Sequence, residues 1–308
     1  MKKLSIIPIF LIIALTFSSC YINITIGKPE DEQSSETIFV ETTTDEWLDD
    51  EDDVTPSETE AVTESSVTAT NPVSLPEDAK SVSAKKALKM YEKYFGNVKS
   101  DGVGFTKKQW EGIDNINAPV DTTGLINGIL TTVGKNLITH QQADFEASAT
   151  VYTPGSAEIK SEFPVFGADY VLSQDVVDSI SSAYVVKGDD VITYYIYFAD
   201  CLNPYVGDGG FGDIMTPFDR EVMLESVKQY VPVADVENLK LDCTYSGSYM
   251  VFSIDKQDKT PIALEQHHYA NIDASAELNL VVIKTTFLNG TCTFEMHNYY
   301  SDFVIPET

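Results

Sequence analysis

Six residues, Gly207-Asp208-Gly209-Gly210-Phe211-Gly212, carry the G-x-G-x-x-G spacing of a dinucleotide-binding turn. There, backbone N–H groups at a helix start cradle a pyrophosphate. The setting opposes that chemistry. The preceding strand ends near Ala199, the next helix is expected only at Pro217, and Asp208 and Asp213 repel a phosphate. A flexible surface loop without a cofactor is expected.

Histidine and cysteine offer the other chemistries. His267 and His268 are adjacent on an expected strand and point to opposite faces. His297, on another strand, can approach one of them. Zinc needs three or four ligands, and the sequence displays no close set, so no metal site is expected. Three cysteines, Cys201, Cys243 and Cys292, remain after Cys20. Cys243 and Cys292 lie in expected strands, where cross-strand pairing is conceivable. A cysteine nucleophile with His140 or His297 as base is the reactive alternative; isolated core thiols are the simpler reading. G-x-S-x-G, H-E-x-x-H and P-loop motifs do not occur. The chain reads as a non-enzyme.

A binding role rests on aromatic and aliphatic strand residues. In Tyr194-Tyr195-Ile196-Tyr197-Phe198, alternation sends Tyr194, Ile196 and Phe198 to one face and Tyr195 and Tyr197 to the other. Met250, Phe252, Ile254, Leu264, Leu280, Val282, Phe294 and Met296 extend the first face. Together they form either an ordinary core or the lining of a cavity for a hydrophobic ligand.

These residues need strands and helices to position them. Ala87, Met90, Tyr91 and Tyr94 fall at helical spacing between Ser83 and Gly96. A second helix is expected between Gly124 and His140, and a short one from Val176 to Tyr184. A further helix is expected from Thr216-Pro217 to Pro232, with Thr216 as its cap. Phe145–Tyr152 and Ala157–Phe163 read as a hairpin around Thr153-Pro154-Gly155-Ser156. Val191–Phe198 reads as a strand. Five strand-like runs follow: Leu239–Tyr245, Tyr249–Asp255, Ile262–Ala270, Ala276–Phe287 and Thr291–Tyr300, with short joins that include Asn289-Gly290. Short joins imply antiparallel neighbours. The fold class expected is α+β: an antiparallel β-meander, as a curved sheet or half-barrel, backed by a few helices.

Charge narrows the partners. The chain has 308 residues and a formal charge of −28. That excludes nucleic acid, which requires a basic stripe. Between Pro29 and Pro76 there are 15 acidic residues, no Lys or Arg, and 15 Ser and Thr. Such a segment buries too little apolar surface to fold, and its like charges extend it. Residues 21–78 read as a disordered acidic tether, spanning about 40 Å as a relaxed coil. The remaining 33 acids and 17 bases leave −16 on the folded part.

The first twenty residues read as an export signal: Lys2 and Lys3, an apolar run from Ser5 to Phe17, then Ser18-Ser19-Cys20. The run is about a dozen residues, short of the roughly 20 that span a bilayer core. This segment resembles a bacterial lipoprotein signal peptide, whose lipobox ends in the lipidated cysteine; Phe17 stands where Leu is usual. The resemblance implies acylation of Cys20, two or three acyl chains that hold stably where one is marginal, and residence on the outer face of the cell membrane. Arg220 is the one arginine among lysines, a bias that fits a low-GC Gram-positive source.

Tyr249–Asp255, the turn Lys256–Thr260 and the run Thr293–Tyr300 resemble the half-barrel of LolA- and LppX-like lipoprotein carriers and uncharacterised Gram-positive lipoproteins. That resemblance implies a hydrophobic or other small ligand on the concave face. Residues 79–308 are thus expected to form one ligand-binding-like domain. Two other roles are open to such a chain: an envelope interaction or assembly module working through its outer surface, and a cell-wall hydrolase. The hydrolase would need two carboxylates facing across a cleft at roughly 5–10 Å. No particular protein partner is implied.

Overall fold

The computed structural model describes residues 75–117, 138, 140–222, 224–225, 234–280 and 286–306. Cys20, residues 21–74 of the tether and the helix expected between Gly124 and His140 lie outside them, apart from residues 138 and 140. The domain is an open, curved, antiparallel sheet of ten strands with a few short helices. In chain order the elements are β1 (Lys80–Val82), α1 (Ala84–Phe95), β2 (Gly104–Asn117), β3 (Thr150–Tyr152), α2 (Ile159–Glu162), α3 (Gln174–Asp178), β4 (Ile180–Lys187), β5 (Val191–Phe198), β6 (Cys201–Leu202), α4 (Phe211–Ile214), β7 (Ala234–Tyr245), β8 (Tyr249–Asp255), β9 (Pro261–Leu280) and β10 (Thr286–Val304). The main path across the sheet is β1-β4-β5-β8-β9-β10-β2-β3.

α1 forms where its apolar spacing predicts. The Ser83 hydroxyl accepts from the Lys86 N–H at 3.3 Å, capping the first turn. Ala87, Leu88, Tyr91 and Phe95 recur on one stripe and are all buried. That stripe lies on the inner face of the sheet. Tyr91 and Phe95 each meet the Phe252 ring at 5.6 Å, and Phe252 stacks on Tyr194 at 4.9 Å. Helix and sheet thereby share one aromatic core.

The sheet is antiparallel and curved as expected, but its long strands run through two of the expected joins. Ile262–Ala270 and the start of the next run form one strand, β9, without a turn at Asn271-Ile272-Asp273. Asn289-Gly290 is not a hairpin either; it lies inside β10, opposite Ser275 and Ala274. β7 and β8 do not pair with each other. Both run antiparallel to β9, β8 against Pro261–His267 and β7 against Ala270–Leu280. They are two halves of a strand broken at Ser246-Gly247-Ser248. Gly247 takes a left-handed φ of 78° there. The break is stitched to β9, because Ser246 N–H donates to the Tyr269 carbonyl and Tyr269 N–H donates to the Ser248 hydroxyl.

Three local expectations are corrected. Ala157–Phe163 is not a strand; it holds α2, while β3 pairs with β2. The helix near Val176 stops at Asp178, and Tyr184 belongs to β4, whose β-branched and aromatic side chains pair with β5. The helix after Thr216 begins at Arg220, with Asp219 as its cap. The Asp219 carboxylate accepts from the N–H groups of Glu221 and Val222 at 2.9 and 3.0 Å.

Candidate functional site: the outer face of the sheet

The predicted ligand residues do share the inner face. Tyr194, Ile196, Phe198, Met250, Phe252, Ile254, Leu264 and Phe294 are buried, and Met296 packs partly buried against them. They are joined there by α1, by Phe163 and Val165, and by Phe211, Ile214 and Met215 around α4. These side chains belong to one continuous core cluster. The side chain of Leu280 and all of Val282 lie outside the described residues. A hollow of about 220 Å³ sits elsewhere, beside Asn117, Asp242, Asp273 and Thr291. None of the predicted ligand residues lines it.

Sequence reading missed that this core has a polar stripe. Gln266, His268 and Asn298 are buried among the apolar residues. Gln266 donates to the Ile214 carbonyl at 2.7 Å, while both ring nitrogens of His268 lack a hydrogen-bond partner. Burial pushes the pKa of His268 down to about 3, with smaller contributions from His267 and His297, so its ring is neutral.

The glycine loop is ordered by its own acids. Asp208 accepts from the N–H groups of Gly210 and Gly212, and Asp213 accepts from Gly209. The N–H groups that would cradle a phosphate are therefore bonded to carboxylates. A four-residue helix that the sequence reading does not expect, α4, also starts inside the motif at Phe211.

Cysteine pairing across β7 and β10 fails on register. Cys243 and Cys292 are both aligned with Ile272 of β9, from opposite sides, so a whole strand separates them. All three described cysteines are free thiols.

The outer face holds the concentration of chemistry. One register row crosses five adjacent strands: Tyr197 of β5, Tyr249 of β8, His267 of β9, His297 of β10 and Trp110 of β2. Consecutive rings touch. Tyr197 meets Tyr249 at 5.8 Å, Tyr249 stacks on His267 at 4.2 Å, His267 stacks on His297 at 3.9 Å, and Trp110 meets His297 edge-on at 6.2 Å. Phe145, from the 140–148 segment, stacks on His297 at 5.1 Å. Strand alternation produces this face from the residues between the core positions. Tyr195, Glu265 and Tyr299 form the parallel row beside it, with Val251 between Tyr195 and Glu265.

Glu265 is the charged centre. Its Oε2 lies 3.3 Å from His267 Nε2 and 3.7 Å from His297 Nε2. The hydrogen bond from His267, together with the nearby His297 ring, holds its carboxyl at about 2. Burial pushes the His267 pKa down, outweighing the opposing pull of Glu265. At neutral pH the contact is therefore a carboxylate on a neutral imidazole and is not a full ion pair. Burial, the largest cause in each, pushes up the hydroxyls of Tyr195, Tyr249 and Tyr299, and the Glu265 charge adds to it.

The expectation that no close ligand set exists is overturned: ligand atoms of Glu265, His267 and His297 all lie within 4.8 Å of one another. Two features nevertheless set this trio against metal coordination. An indole N–H can only donate, and Trp110 donates to His297 Nδ1 at 3.1 Å. His297 must then carry its N–H on Nε2, the atom facing Glu265. The two imidazole planes are also stacked with a 23° tilt, so their in-plane lone pairs run side by side instead of converging on one ion. The arrangement is built as a hydrogen-bonded carboxylate. No protein-family model matches this chain, and a search of curated proteins finds no match.

Proposed function

We propose that this protein is a lipid-anchored, extracytoplasmic binding module that presents the outer face of its sheet to a partner in the cell envelope. Lipid on Cys20 and the acidic tether set the domain out from the membrane, and the module binds without catalysing a reaction. One observation carries the choice of face: the inner side chains are packed under α1 and α4, while Trp110, Tyr197, His267, His297 and Glu265 line the opposite face. Aromatic residues that offer a flat, partly apolar surface with polar tips suit recognition. This reading takes the surface-working alternative over a hydrophobic ligand held inside the domain.

Co-sedimentation with isolated cell envelopes tests it. Full-length protein should pellet with envelope fragments, and Trp110→Ser with Tyr197→Ser should reduce the bound fraction several-fold while the circular dichroism spectrum is kept. Unchanged pelleting of the double variant would remove the outer face from the account. In the producing cell, Cys20→Ser should release the protein from the membrane fraction.

A further inference from the structure

We propose that Glu265 and the rings around it form a binding site for an alkylammonium group. The inference rests on the outer face being the recognition surface and names the chemistry that this face selects.

The first argument is charge. Glu265 keeps about a third of its side-chain surface open, at 35% exposure. Among the described residues its ion-pairing neighbours are His267 and His297. Lys108 shares the face but lies beyond Tyr299 in the register and is engaged by Glu146 at 2.6 Å. Among the described residues the negative charge is thus held in place by the His267 N–H and is not cancelled by a lysine or arginine.

The second argument is the frame. Tyr299 of β10 stands directly across from Glu265, and Tyr195 of β5 lies two strands away on the other side. Both tyrosines feel the Glu265 charge. Aromatic faces carry negative quadrupole density, which disfavours a further anion and attracts a cation. A carboxylate set among such rings is complementary to a positively charged carbon-rich head: methyl or methylene groups lie on the rings while the charge faces the carboxylate. A small hydrated metal ion would gain little from the rings, and a phosphate or carboxylate ligand would be repelled. The folded part carries −16 from 33 acids and 17 bases, so its long-range field concentrates cations at the surface.

The test uses the full chain in detergent with Trp47→Phe, which leaves Trp110 as the sole tryptophan. Its fluorescence reports the face directly. Choline is titrated at neutral pH beside ethanolamine and the uncharged isostere 3,3-dimethylbutan-1-ol. Saturable binding with a dissociation constant on the order of 1 mM is expected for choline or ethanolamine. The isostere should bind at least tenfold more weakly. The ratio of choline to ethanolamine separates a quaternary from a primary head. Glu265→Gln should erase the preference for charge over isostere. Tyr299→Ser, which keeps the carboxylate, should weaken choline several-fold and provides a second reading if Glu265→Gln fails to fold. Equal binding of choline and the isostere, or no saturable response to either amine, overturns the site. Envelope pelleting that depends on Trp110 and Tyr197 without amine binding sinks this inference alone. Amine binding without envelope pelleting sinks only the broader reading.

Discussion

Trp110 and His297 face each other across β2 and β10, and the indole N–H donates to Nδ1 of the imidazole at 3.1 Å. This one bond sets the polarity of the outer-face cluster. With Nδ1 occupied as an acceptor, the ring N–H of His297 is on Nε2, toward Glu265. A phenyl ring at position 110 would keep most of the packing and lose the donor. Trp110→Phe should therefore release His297 into a mixture of tautomers, visible in its ring nitrogen shifts by NMR, and cost about 1 kcal/mol in urea unfolding. An unchanged single tautomer would show that Trp110 does not fix the ring.

Acid should unfold the domain through its histidines. Burial holds His268 at about 3, against an ordinary value of 6.5, and also depresses His267. A folded-state value below the unfolded one means that the unfolded chain takes up the proton first. The associated stability is complete above pH 6.5 and is lost as pH falls toward 3. Glu265 acts in the same direction lower down, since its stabilisation is complete above 4.5 and lost toward about 2. The urea midpoint should stay flat above pH 6.5 and then decline, by up to about 1.4 kcal/mol per pH unit for each proton taken up. His268→Leu should flatten the decline between pH 6 and 4, and a slope equal to wild type would place the acid lability elsewhere.

The element types of β5, β8 and α1 were legible because their patterns are local: strict alternation in Tyr194–Phe198 and Tyr249–Asp255, and a capped stripe from Ser83 to Gly96. Turn chemistry misled where pairing partners decided. Asn289-Gly290 has hairpin residues, yet β9 supplies a continuous ladder past them, so the strand runs on. The break at Ser246–Ser248 reads as a hairpin turn, yet β9 accepts both flanking segments in line. The described members of the inner apolar set share one face, as alternation predicts; their packing against α1 and α4 depends on tertiary contacts that no strand pattern records. Glu265, His267 and Trp110 escaped notice as a group because register alone brings β9, β10 and β2 side by side, over a sequence distance of more than 150 residues between Trp110 and the other two.

Capping of the helix that begins at Arg220 separates two neighbouring residues. Asp219 makes both cap hydrogen bonds, although Thr216 has the better sequence signature. Asp219→Ala should destabilise the domain by about 1 kcal/mol, the usual cost of losing an N-cap. Thr216→Ala should change the unfolding midpoint little. The reverse ranking in thermal or urea unfolding would return the cap to Thr216.

Thiol chemistry follows from the same register that separates Cys243 from Cys292. Both align with Ile272 from opposite sides. Two strand spacings put their backbones roughly 9.5 Å apart, beyond the about 7 Å reach of a disulfide. Burial, the largest cause in each, pushes Cys243 up to about 12, Cys292 to about 11 and Cys201 to about 12. Little thiolate is present at neutral pH, and the thiolate is the reactive form. Mass spectrometry under non-reducing conditions should find these three cysteines unpaired. Iodoacetamide should modify them slowly in the folded protein and rapidly in urea. A Cys243–Cys292 crosslink in freshly prepared protein would mean that β9 does not lie between those strands, and with it the outer-face row through His267 would fail.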